Sequence, residues 1–92
     1  MIITNELMGK VREEIILLVK SEYENATRMY GPFASSHEGL AVIREEYLEL
    51  EKEVFTKQSE YDYEKMELEA RQLSAMAIRF IIDVCRILPK KD

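Results

Sequence analysis

The chain holds one cysteine, two prolines, three glycines, one histidine and no tryptophan. A single cysteine excludes an intrachain disulfide, and with a single histidine it leaves nothing from which to build a zinc-type cluster. Few prolines and glycines mean few places where a helix must stop. Basic charge is also scarce. The formal net charge is -5, and between Glu38 and Glu69 eleven acids face only Arg44, Lys52, Lys57 and Lys65. That sign repels nucleic-acid backbones and anionic lipid, so no nucleic-acid polymer and no membrane is expected as a partner. The run Ile15 to Val19 is far shorter than the roughly twenty apolar residues that cross a bilayer. The N-terminus lacks a signal-peptide pattern, so a cytoplasmic protein is expected. Cys85 lies in the apolar run that starts at Phe80 and reads as a small buried hydrophobe in a reducing compartment.

What is present suits helices. In 92 residues, 47% are apolar and 34% charged, a balance that argues against disorder and for one helical domain over residues 1–92. Thr4 or Asn5 can cap a first helix, with Leu7 or Met8, Val11, Ile15, Leu18, Ala26 and Met29 at helical spacing. Glu22 interrupts that stripe, which makes its second half the weaker candidate for burial. Gly31-Pro32 ends the helix. Ser35 and Glu38 then form a capping-box pattern for a second helix reaching about Phe55, with a stripe of Leu40, Ile43, Tyr47, Leu50 and Val54. After a polar segment, Thr56 to Asp62, that reads as a linker or a frayed helix start, a third helix presents Met66, Ala70, Leu73, Ala77, Phe80 or Ile81, Val84 and Leu88. Pro89 marks its end, and Lys90-Lys91 suits its negative pole.

The expected fold is all-α, an antiparallel bundle of three long helices. Met76, Ile78, Ile82 and Ile87 fall off the third stripe. A lone bundle would leave some of that surface wet, which predicts a homodimer or homotetramer.

Chemistry is expected where carboxylates recur at one-turn spacing. Glu46 and Glu49 share a helical face, and Glu69 and Gln72 stand in the same relation on the third helix. Oxygen donors of this kind suit Mg2+ or Mn2+ rather than zinc. By itself an acidic pair on a helix is usually solvated charge.

The runs Ser36-His-Glu-Gly-Leu-Ala-Val-Ile-Arg-Glu-Glu-Tyr-Leu-Glu-Leu50 and Glu69-Ala-Arg-Gln-Leu-Ser-Ala-Met-Ala-Ile-Arg-Phe80 add a further indication. Together they resemble the short, single-domain members of the MazG-like, all-α nucleoside triphosphate pyrophosphohydrolases. The likeness spans about half the chain, from Phe33 to Asp83 with a gap at the linker. It implies an E-x-x-E motif at Glu46 and Glu49 and an E-x-x-D motif opened by Glu69, whose acids hold Mg2+ against a triphosphate. It further implies attack of water on the α-phosphorus with release of pyrophosphate, in a house-cleaning role. Gln72 departs from that pattern by replacing the aspartate with a neutral amide. Asp83 is eleven residues further on, about 16 Å along a helix, and cannot take its place. Glu53, one turn beyond Glu49, is a nearer substitute.

In such an enzyme Glu45 is the candidate base, and Arg79, two turns from Gln72, is the candidate contact for a substrate phosphate. The bland reading of Arg79 is an ion pair at a surface or interface. Two functions remain: a Mg2+-dependent pyrophosphohydrolase, or a non-catalytic relative that keeps the bundle for dimerisation or nucleotide sensing. A plain helical adapter would explain the stripes alone.

Overall fold

Thr4 starts the first helix. In the computed structural model, which describes residues 2–87, its Oγ1 accepts the Leu7 N–H at 3.1 Å and α1 runs Asn5–Tyr30. Gly31 closes α1 at φ 70°, a conformation that glycine adopts without a Cβ penalty, and donates its N–H to the Thr27 carbonyl. Ser35 Oγ accepts the Glu38 N–H at 3.1 Å to open α2, Ser36–Val54. Glu38 reaches back to the Ala34 N–H at 2.8 Å, so both capping residues satisfy a backbone donor. A 3-10 turn at Gln58–Glu60 and an Asp62 cap lead into α3, Tyr63–Arg79. From Phe80 to Ile87 the helix continues with the wider π winding. Leu88, Pro89, Lys90 and Lys91 lie outside the described residues.

The described residues are helical without a strand, and none of their helices is long and apolar enough to cross a membrane. The helix on which the others pack is α3. It runs antiparallel to α2, with Glu53 and Lys65 paired at 3.5 Å near one end and Gly39 against Phe80 near the other. Val19, Tyr23 and Ala26 bring α1 into the same core. Among the described residues α1 and α2 do not pack on one another. The three helices therefore form an open arrangement with a cleft between the outer two.

That openness changes which side chains are covered. The buried apolar residues are Val19, Phe33, Ala75 and Met76, bordered by Val42, Ile43, Phe80 and Val84. In α1 the expectation is reversed, because Val11, Ile15 and Leu18 are exposed while the turns around Glu22 are the better covered. In α2, Ile43 and Leu50 are half-buried, but Leu40, Tyr47 and Val54 face solvent because only α3 covers this helix. In α3, Met76 is buried despite lying off the expected stripe, whereas Ala77 and Ile81 are exposed. Cys85 is exposed rather than buried, since it falls on the outward side of the π-wound segment.

Two buried charges fasten the α1–α2 turn to α3. Arg79 donates to the Gly31 carbonyl, and its guanidinium sits 4.2 Å from the centre of the Phe33 ring. Asp83 accepts the Phe33 N–H at 3.0 Å. Gly39 lets α2 close onto this clamp. A Cβ there would stand 2.7 Å from Phe80 Cδ2 and 3.1 Å from Phe33 Cδ2.

Gly39→Ala should destabilise the fold. The overpacking cost of about 1–3 kcal/mol exceeds the helix-propensity gain of up to about 1 kcal/mol. Urea unfolding should show a lower midpoint for Gly39→Ala and a smaller loss, or none, when Phe80→Leu is made with it. Equal losses in both backgrounds would mean that the Phe80 contact is not the cause.

Candidate acidic cleft between three helices

The open side of α3 forms a cleft of about 730 Å³. Glu22, Asn25 and Met29 line it from α1, Val42, Glu45 and Glu46 from α2, and Gln72, Met76 and Arg79 from α3. Phe33 and its neighbours in the turn close one end. Carboxylates therefore stand on both outer helices, while α3 between them carries an amide, an apolar group and a guanidinium.

Antiparallel packing of α2 on α3 brings three of the sequence-expected acids into one neighbourhood. Burial raises the Glu46 carboxyl above its ordinary value, and the charges of Glu69, Glu49, Glu45 and Glu22 push it the same way. Glu69 is only 8% exposed. Glu46 and Glu69 have no ion-pair partner among the described residues. Arg71 pairs with Glu67 at 2.5 Å and with Glu22 at 3.9 Å, so it answers the α1 acid of the group and leaves Glu46 and Glu69 without an ion pair. Like charges thus remain together where solvent screens them less than at an open surface.

The placement also departs from the sequence pattern. Glu49 and Glu69 influence Glu46 but are not cleft-lining residues, whereas Gln72 is. Among the described residues no three His, Cys, Asp or Glu side chains converge as a ready metal-ligand group. The carboxylates share a neighbourhood without closing on a common point. Their donor chemistry, hard oxygen throughout, still fits Mg2+ or Mn2+ better than any softer ion.

Arg79 does lie in the cleft wall, but it is no surface ion pair. It is 3% exposed, forms no salt bridge among the described residues, and leaves Nε buried without a hydrogen-bond partner. Glu53 is held by Lys65. The residue that sequence reasoning missed is Glu22. In the sequence it interrupts an apolar stripe, yet it follows Leu18 by four residues and lines the cleft from α1. A lone acid within an apolar helical face was the available signal.

The raised Glu46 value has a definite consequence for stability. The folded state holds this proton more tightly than the unfolded state, so the contribution is favourable at low pH and is lost as pH rises from about 4.5 through the raised folded value. Glu46→Gln should therefore melt above the wild type at pH 7, with the two curves converging below pH 4.5. A lower melting temperature for Glu46→Gln at pH 7 would show that the carboxylate is not under strain. No family model, curated protein or solved structure matches the chain, so the function of the cleft has to be argued from its own residues.

Proposed function

We propose that the cleft binds a nucleoside triphosphate together with Mg2+ or Mn2+, and that the chain hydrolyses it to a monophosphate and pyrophosphate. The reading includes a cytoplasmic homodimer or homotetramer and a house-cleaning role. Its main support is Glu69, a nearly buried carboxylate beside Glu46, neither of which has an ion-pair partner among the described residues. A divalent ion would remove that repulsion. The resemblance of residues 36–50 and 69–80 to MazG-like pyrophosphohydrolases supports the same chemistry.

Glu46, Glu49 and Glu69 would hold the ion, with the Gln72 amide oxygen as a neutral and weaker donor. Bound there, the ion supplies charge neutralisation at phosphate oxygens and acidity to water. Glu45, exposed at the cleft edge, accepts the proton of the attacking water. The new bond forms between water oxygen and the α-phosphorus, the α–β bridging bond breaks, and pyrophosphate carries away the bonding pair. Arg79 in the opposite wall offers positive charge to the phosphate tail. One guanidinium nitrogen is held by the Gly31 carbonyl and Nε is buried, so Arg79 would act on the phosphate tail through its charge unless the side chain shifted.

A second reading is favoured by Gln72 and by the lack of a converged ligand trio among the described residues. In that reading the cleft senses a nucleotide without turning it over.

One panel separates the two. Purified protein with millimolar Mg2+ should release pyrophosphate from at least one nucleoside triphosphate. Glu46→Gln should lose activity by at least about tenfold, the scale on which metal-site groups act. Gln72→Asp should raise the rate and strengthen the Mg2+-dependent rise in melting temperature, while Glu49→Ala should abolish that rise. Thermal stabilisation by nucleotide without pyrophosphate release would favour sensing. No response to Mg2+ or to any nucleotide would sink both.

A further inference from the structure

From its first turn to Leu18, α1 has no buried residue. This half-helix, about 20 Å long at 1.5 Å per residue, nevertheless carries Met8, Val11, Ile15, Ile16, Leu17 and Leu18. A helical segment of this length is marginal when solvated, more so with the β-branched Val11, Ile15 and Ile16 in its sequence. It extends beyond the part of α1 that packs on α3, and its apolar side chains are left without cover by the rest of the described residues.

The amount of uncovered surface is large. The accessible area is 7393 Å², against about 5,500 Å² for a compact chain of this mass. The excess is larger than the roughly 800 Å² per partner that a standard stable interface removes.

The pattern of the stripe indicates what covers it. Met8, Val11, Ile15 and Leu18 are spaced three, four and three residues apart, the same sequence of intervals read in either direction. Two copies laid antiparallel therefore match along their whole length, with Met8 opposite Leu18 and Val11 opposite Ile15. That is the self-complementarity a twofold interface requires. The same face continues into Glu22, Asn25 and Met29, which line the cleft. We propose that the N-terminal half of α1 is the contact surface for a second copy of this chain, paired antiparallel through Met8, Val11, Ile15 and Leu18. This assigns a surface and an orientation to the assembly, and it stands whether or not the cleft is catalytic.

Sedimentation velocity on the full chain should show a dimer at tens of micromolar. Ile15→Glu, which keeps a good helix former, should give a monomer, while Tyr47→Glu on the exposed face of α2 should leave the dimer intact. A monomeric wild type overturns the proposal, as does a dimer broken by Tyr47→Glu and not by Ile15→Glu. Should Ile15→Glu lose its helical signal, disulfide trapping in a Cys85→Ser background decides instead. An oxidised mixture of Met8→Cys and Leu18→Cys chains should form the mixed disulfide dimer in preference to either self-pair. Preferential Met8→Cys self-pairing would indicate parallel helices, and no cross-link in any mixture would place the interface elsewhere; either result overturns the antiparallel pairing.

Discussion

The fold depends on a clamp made by two buried charges that do not pair with each other. Arg79 takes the Gly31 carbonyl and the face of Phe33, and Asp83 takes the Phe33 N–H. A short turn between helices cannot satisfy these backbone groups internally, and a buried charge without polar partners would be costly. Each requirement answers the other. The result ties the start of α2 to the end of α3, with Phe33 and Phe80 packed against Gly39. Once that end is set, antiparallel packing decides what lies opposite what further along. Glu46 falls near Glu69 because Gly39 falls under Phe80.

Seen from that constraint, the acidic neighbourhood is a cost the fold could have avoided. A neutral residue at position 69 would bury more cheaply than a carboxylate, and Arg71 pairs with Glu67 and Glu22 rather than with Glu46 or Glu69. Local preference and global packing agree across most of α2 and α3 and disagree at Glu46 and Glu69. Sites of such disagreement are where function is usually found, because stability alone gives no reason to retain them. The same reasoning gives Gln72 its weight. It is a neutral amide in the cleft wall close to these acids, and it adds no charge to them.

Helix starts were legible in the sequence because they are local. Thr4 and Ser35 each bond a backbone N–H three residues on, and Gly31 needs only its own φ; the Asp62 cap of α3, of the same kind, lay inside a polar stretch whose boundary the spacing did not mark. The faces were not legible. Ile15 to Val19 is apolar all round, so periodicity offers several equivalent stripes and cannot say which one meets α3. The side chosen was that of Val19, Tyr23 and Ala26, which left Val11, Ile15 and Leu18 outside. The roles of Arg79 and Asp83 were hidden for another reason: their partners lie 48 and 50 residues away, beyond any spacing rule. The switch to π winding at Phe80 carries no sequence mark that was recognised, and with it went the burial assigned to Cys85. The acids Glu46, Glu49 and Glu69 stood out by their spacing, though only Glu46 of the three lines the cleft, whereas Glu22 could be placed only once α1 had a position.

The open arrangement gives one helical face two jobs. Along α1 the line through Met8, Val11, Ile15, Leu18, Glu22, Asn25 and Met29 is apolar for its first four members and mixed for the rest. Were that whole line core, Glu22 and Asn25 would be buried polar groups needing partners, and the stripe would be a poor one. Were it all surface, the apolar half would have no reason to be so regular. Division resolves both difficulties: the apolar half suits a helix of like kind, and the polar half faces the cleft across from Glu45 and Glu46. Among the described residues α1 packs on α3 and not on α2, so the width of the cleft follows from the α1–α3 contacts at Val19, Tyr23 and Ala26. Those contacts place Glu22, and with it part of the charge that Glu46 experiences.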